Sequence, residues 1–259
     1  MNIRPLILSR GYGSKTPDEM SMLAHEFPDI AIAYAKNRHR AYKKAVREHE
    51  FDIVILDDGF QHLKIRRDLD IIILDASRPF GSGRLLPSGN LREPKSMLRY
   101  GDLIVLNHKA GRESRDYSGS EMVRNWQGLS GGYEFSGIES LSGAGQVRLS
   151  DLGEKKCGIM TAIGDSKSFR HLLQKQNMEI ARIYSFRDHH EYTRSDLEMV
   201  QEMCMAEGIE CLFTTEKDAV KLKTICFENP SVYVIKIAFR LEKGEDHLKQ
   251  RIRALAEKQ

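Results

Sequence analysis

The sequence predicts an α/β protein with largely parallel sheets, and three observations carry that expectation. Short aliphatic runs, among them Ile53 to Leu56 and Asp102 to Asn107, alternate with stretches of helical periodicity rather than with hairpin turns. Several of these runs end in aspartate or asparagine, which places polar side chains at the carboxyl ends of strands, where open α/β sheets bind ligands. The alternation fades through a Gly- and Ser-rich region and then restarts, so two α/β/α domains are expected, one over 1–150 and one over 151–259.

The elements follow in order. Pro5 to Ser9 reads as a strand that runs into Arg10-Gly11-Tyr12-Gly13-Ser14-Lys15-Thr16, with a helical pattern from about Pro17 to Phe27. A strand, a Gly-containing turn with Lys-Thr and a helix is the layout of a phosphate-binding loop. The Walker spacing ending at Thr16 would need glycine where the chain has Ser9 and Ser14, so a tight turn with glycines at positive φ competes with that reading. Ile30 to Ala35 reads as the next strand, and Asn37 to His49 as an exposed helix carrying Arg38, Arg40, Lys43, Lys44 and Arg47. That basic face is either simply solvated or a surface for anionic lipid. Ile53 to Leu56 reads as a buried parallel strand and Asp70 to Asp75 repeats its pattern; the long loop that follows carries Arg78, Arg84 and Arg92.

Asp102 to Asn107 gives one more strand, after which Gly111 to Gly153 is weakly patterned and is expected to cross from one domain to the next. Beyond Cys157, strands at Gly158 to Ile163, Glu179 to Phe186, Glu210 to Thr214 and Val232 to Ile237 are expected. Helices are expected at Ser166 to Gln176, Thr193 to Glu207 and Glu245 to Glu257, with TEKDAVKL as a loop. Thr193 and Asp196 have the spacing of a capping box.

Composition narrows the function classes. A chain of 259 residues with 41% hydrophobic content supplies a core, and 40 Lys plus Arg against 37 Asp plus Glu gives no overall charge argument for nucleic acid. No protein partner is inferable. The cysteines Cys157, Cys204, Cys211 and Cys226 lack metal-ligand spacing and read as buried reduced thiols, which fits the cytoplasm. No apolar run approaches the ~18 residues of a spanning helix, and the N-terminus has no signal-peptide core, so a soluble or peripheral protein is expected.

The candidate chemistry lies in three places. Asp57 and Asp58, an acidic pair after an aliphatic strand, are what a hard cation carrying phosphates requires; a loop-start or cap pair is the plain alternative, and Gln61 and His62 add polar groups beside them. Asn90, Arg92 and Glu93 end the long loop with an amide, a guanidinium suited to phosphate and a carboxylate, or else form a surface ion pair before Pro94. Asp18 and Glu19 open a helix, where acids ordinarily complement the dipole. His189 follows a strand beside Asp188 and His190; adjacent side chains on an extended strand diverge, which argues against a shared metal.

These motifs occur together. SRGYG at Ser9 to Gly13, DE-x-x-x-LA from Asp18 to Ala24, ILDDGFQH at Ile55 to His62, GSGRLLPSGNLREP at Gly81 to Pro94, DHHEYT at Asp188 to Thr193 and TTEKDAVKL at Thr214 to Leu222 resemble the tetraacyldisaccharide 4'-kinase family of lipid A synthesis, in order and over nearly the whole chain. The resemblance implies a P-loop-kinase-like fold. It also implies transfer of the γ-phosphate of ATP, with Mg2+, to the 4'-hydroxyl of a lipid A disaccharide precursor, at the cytoplasmic face of the inner membrane. It implies Asp18 as the base that takes the hydroxyl proton, with His189 in support. Asp57 and Asp58 would be the magnesium-side acids, Asp58 favoured as the metal partner, and Gln61, His62, Asn90, Arg92 and Glu93 would line the nucleotide and phosphate site. The family carries its Walker A loop and an apolar helix upstream of SRGYG, whereas this sequence starts at Met1 just before it, so the first strand and P-loop are expected to be absent from this chain. The rival expectation is a non-catalytic module that keeps the lipid or disaccharide cleft.

Overall fold

The computed structural model describes residues 3–10, 18–110, 128–143, 147–188, 190–222 and 229–257, and the side chains of 18 and 19 lie outside that description. Strands and helices alternate and the strands pair mostly in parallel, as expected. The described residues fall into two compact units. The first lies within Met1–Asn107, Arg115–Gly131 and Leu241–Gln259, the second within His108–Ser114 and Gly132–Arg240. The two units are interleaved in sequence. The physical reason is a pair of long strands of 12 and 13 residues, Leu129–Ser140 and Ser231–Lys243, each of which starts in one unit and ends in the other.

In the first unit β1 (Pro5–Ser9) lies between β2 (Ala31–Tyr34) and β3 (Ile53–Leu56), all parallel, with Leu6 level with Ala31 and Val54. The central strand buries Leu6 and Leu8. Two helices follow the alternation, α1 (Asp18–Glu26) and α2 (Arg38–Glu48). The side chain of Asn37 accepts the Arg40 N–H and so caps α2, whose buried residues Arg38, Ala41 and Ala45 recur at i, i+3 and i+7 along one face. β3 was expected to be buried, yet Val54 and Ile55 are 37% and 48% exposed. It is the end strand of its sheet, so among the described residues only its β1 side is covered. A second parallel pair joins β4 (Ile71–Asp75) to β5 (Leu103–His108), with Asp75 level with Asn107. β5 is buried from Leu103 to Leu106, while β4, again an end strand, exposes Ile71 and Ile73. The N-terminus of α6 (Glu245–Ala256) is preceded by Gly244 at φ +80°, where a Cβ would meet Leu129 Cγ at 2.8 Å, so both backbone and space select glycine.

In the second unit the strand order is β6 (Leu129–Ser140), β10 (Ser231–Lys243), β9 (Cys211–Thr215), β7 (Cys157–Thr161) and β8 (Ile180–Ser185). Successive strand residues point to opposite faces, so Ile159 and Phe213 join Leu173 of α3 (Ser166–Gln174) in one cluster. Met160 and Leu212 join Val200 of α4 (Arg194–Glu207) in the other. The expected capping box is present: the Thr193 hydroxyl accepts the Asp196 N–H, and the Asp196 carboxylate accepts the Thr193 N–H at 2.8 Å. Two expectations are corrected. The weakly patterned stretch after residue 111 contains β6, and TEKDAVKL is mostly a helix, α5 (Glu216–Leu222). Cys157, Cys204 and Cys211 are buried free thiols, as the spacing predicted; Cys226 lies outside the described residues.

Candidate phosphate and metal site

The acidic turn after β3 is built by its neighbours. The Asp57 N–H donates to the Leu8 carbonyl at 3.1 Å, which continues the β1–β3 ladder, and Ser9 Oγ donates to the Asp57 carboxylate at 2.9 Å. The motif residue Ser9 thereby meets the acidic pair directly. Asp58 sits at φ 45°, and a Cβ at Gly59 would fall 2.6 Å from Leu56 Cβ, so the chain turns here within a space only glycine fits. Both aspartates remain exposed at the carboxyl end of the strand.

The long loop comes back to this turn. Arg92 Nη1 lies 3.2 Å from the Asp58 carboxylate, and Gln61 Nε2 donates to the Glu93 carboxylate at 3.2 Å. Two stretches far apart in sequence are thus joined by one ion pair and one hydrogen bond. Within the loop, Asn90 Oδ1 accepts the Ser82 N–H at 3.1 Å, and the Leu86 N–H donates to the Leu91 carbonyl at 2.9 Å. A Cβ at Gly81, whose φ is +52°, would lie 2.2 Å from the Asn90 amide. The loop is therefore folded on itself, with Asn90 as its internal fastener.

Arg38, expected on an exposed basic face, is instead 5% exposed. Its guanidinium donates to the carbonyls of Asp57 and Asp58, so it holds the backbone of the acidic turn from beneath. The signal was available in the spacing of Arg38 with Ala41 and Ala45, which puts it on the covered face of α2. The remaining cations Arg40, Lys43, Lys44 and Arg47 are exposed, as expected. His62, whose main-chain N–H donates to the Gly59 carbonyl at 2.9 Å, has its side-chain pKa held below the usual histidine value, first by burial and next by the Arg38 charge.

The donor set fits a hard cation. Asp57 and Asp58 offer carboxylate oxygens, and a magnesium ion bound through one or two carboxylates plus substrate phosphates needs no complete protein cage. Among the described residues, no group of three or more His, Cys, Asp or Glu side chains is placed to hold a metal ion by itself. Asp18 opens α1 but its side chain is outside the described residues, as is His189 and the turn 11–17.

In the second unit the residues around His189 are well held. The His190 ring stacks on Phe186 at 4.9 Å and lies 3.0 Å from the Asp196 carboxylate. Thr193 hydrogen bonds and the His190 ring keep the Asp196 carboxyl below the usual range. Asp218 and Lys221, which fall in the stretch expected to be a loop, are buried. No periodicity in so short a segment marks them.

An α/β chain with an acidic pair at a strand end, tied to an Arg-Glu loop, has the parts of an enzyme that handles nucleotide phosphates. Comparison with known proteins makes the assignment specific: the family model for tetraacyldisaccharide-1-P 4'-kinase matches residues 1–257, and the chain belongs to that family. Curated relatives named tetraacyldisaccharide 4'-kinase include those of Syntrophus aciditrophicus, 32% identical over 86% of this chain and 68% of the relative, and Halothermothrix orenii, 32% identical over 88% and 65%. The chain spans about two thirds of the length of these relatives, at 68% and 65%. Among solved structures, the "apo" form of LpxK from Aquifex aeolicus in complex with ATP matches with a TM-score of 0.70 and 27% identity, over 98% of this chain and 79% of that one.

Proposed function

We propose that the chain serves ATP-dependent phosphorylation of the 4'-hydroxyl of tetraacyldisaccharide 1-phosphate. The observation that carries this reading is the joining of the two motif stretches through Asp58 with Arg92 and Gln61 with Glu93, in a chain of this family. Asp18 takes the proton of the 4'-hydroxyl as its oxygen forms a bond to the γ-phosphorus and the bond to the β-phosphate oxygen breaks, releasing ADP. His189 supports Asp18. Asp57 and Asp58 hold Mg2+, which when bound offsets charge on the phosphates. Arg92 meets phosphate oxygens, Gln61 and Glu93 fix its loop, neutral His62 offers a hydrogen bond, and Asn90 keeps the loop closed.

The test is incubation of the purified chain with MgATP and tetraacyldisaccharide 1-phosphate. Phosphorylated product that disappears in Asp58→Asn and falls in kcat rather than in KM for ATP in Asp18→Ala is the expected result. No product above a control without protein overturns the claim for this polypeptide.

The substrate is a lipid, so the reaction is placed at the cytoplasmic face of the inner membrane with the protein held peripherally. Among the described residues no helix is long and apolar enough to cross a membrane. The exposed face of α2 suits an anionic surface: Arg40, Lys43, Lys44 and Arg47 accompany Tyr42 and Val46, which are 37% and 50% exposed. Co-flotation with anionic but not with neutral vesicles, lost on Lys43→Glu with Arg47→Glu, is expected; equal flotation of the variant overturns this placement.

A further inference from the structure

We propose that Lys221 and Asp218 are positioning residues that hold the chain on either side of His189, at Asp188 and at His190 and Glu191; this rests on the reading of His189 as support for the base. Lys221 is 9% exposed and Asp218 1%, and a charge removed from water destabilises a fold unless it is fully engaged. Both belong to α5, three residues apart and therefore on one face.

Their engagements converge on the loop. Lys221 Nζ donates to the His190 carbonyl at 2.9 Å and lies 3.7 Å from the Glu191 carboxylate. One turn earlier, Lys217 Nζ lies 3.8 Å from the Asp188 carboxylate. Asp218 accepts the hydroxyls of Thr161 and Thr215, each at 2.7 Å, and the Ala162 N–H at 3.2 Å, which locks α5 to the ends of β7 and β9. Burial, with the Asp218 carboxylate next in effect, pushes up the Tyr192 hydroxyl pKa, so that group stays protonated beside the carboxylate. The chain on both sides of His189 is thereby fastened, at Asp188 and at His190 and Glu191, to a helix that is itself fixed to the strand ends.

A connection between β8 and α4 requires no buried lysine to close. Fixing one side chain for a reaction gives such a costly anchor a use, because displacement of about 1 Å can cost orders of magnitude in rate. A charged hydrogen bond to a main-chain carbonyl is enough to shift a loop equilibrium by roughly tenfold or more.

Hydrogen exchange on the full chain tests the anchoring without reference to activity. In Lys221→Met, amides from Asp188 to Tyr192 should exchange about tenfold faster or more, while core amides at Ile159 and Phe213 keep their protection and Lys221→Arg restores the loop. Asp218→Asn, which keeps the side-chain size, should loosen the same segment. Unchanged loop protection in a folded Lys221→Met, or equal loosening of the core, overturns the proposal. In the kinase assay Lys221→Met should lower kcat with little change in KM for ATP. Full kcat in Lys221→Met beside a lowered one in His189→Ala also overturns it. Full kcat in His189→Ala instead removes the catalytic reading of that histidine, and the exchange result alone then decides the anchoring.

Discussion

The Arg92 guanidinium and the Asp58 carboxylate, 34 residues apart in sequence, lie 3.2 Å from one another at side-chain exposures of 64% and 62%. Ion pairs this open contribute about 0–1 kcal/mol, so the contact is a poor reason for either residue to be there as a structural brace. Arg92→Met should therefore leave the thermal midpoint almost unchanged while weakening MgATP-dependent turnover. Arg92→Lys should recover only part of it, because the planar fork is lost. Thermal melts and an ATP titration on the same preparations check both statements, and a large drop in the midpoint would count against them.

Arg38 behaves oppositely. Its buried guanidinium satisfies main-chain carbonyls of the acidic turn, so Arg38→Met should destabilise the fold by about 1–3 kcal/mol, read as a lowered denaturant midpoint at constant slope. A midpoint equal to wild type would show that the turn holds itself.

His62 gives a pH signature. Its pKa is held below the ordinary value by burial and by Arg38, so the ring is neutral at pH 7. The unfolded chain takes up this proton first as pH falls through about 6.5, so the group costs no stability above that point and a growing amount below it. An NMR titration should find His62 below free histidine and rising toward it in Arg38→Met. A His62 midpoint at or above that of free histidine would contradict the geometry.

The start of α4 makes a fourth case. Thr193→Ala removes one side of the capping box and should cost about 1 kcal/mol in a denaturant melt. The depressed Asp196 carboxyl contributes stability that is present above the usual carboxylate pKa and is lost as pH falls through its lower folded value. Wild type should therefore exceed Asp196→Asn at neutral pH, with the gap closing in acid.

Much of this was legible in the chain itself. Ile53 to Leu56 with Asp57 and Asp58, Asp102 to Asn107 and the cap at Thr193 are local patterns, and local patterns are what propensity and spacing report. β6 was hidden because Leu129–Ser140 is broken by Gly131, Gly132 and Gly137, and Gly132 is there because a Cβ would fall 2.7 Å from the His108 carbonyl. α5 was hidden because two of its four buried side chains, Asp218 and Lys221 beside Ala219 and Leu222, are charges that binary patterning assigns to solvent. Arg38 failed for the same reason, since a charge is covered only when distant residues bring it partners. The link between Asp58 and Arg92 depends on how a long loop folds, which no periodicity encodes.

The exposed aliphatic side chains of β3 and β4 have a practical consequence for handling the protein. Val54 and Ile55 on one end strand, and Ile71 and Ile73 at 41% and 62% exposure on another, put sticky surface next to strand edges that no other strand pairs among the described residues, the arrangement that templates strand addition between molecules. Turbidity should rise steeply with protein concentration, and a lysine at Ile73, the most exposed of the four, should act as a gatekeeper that delays it.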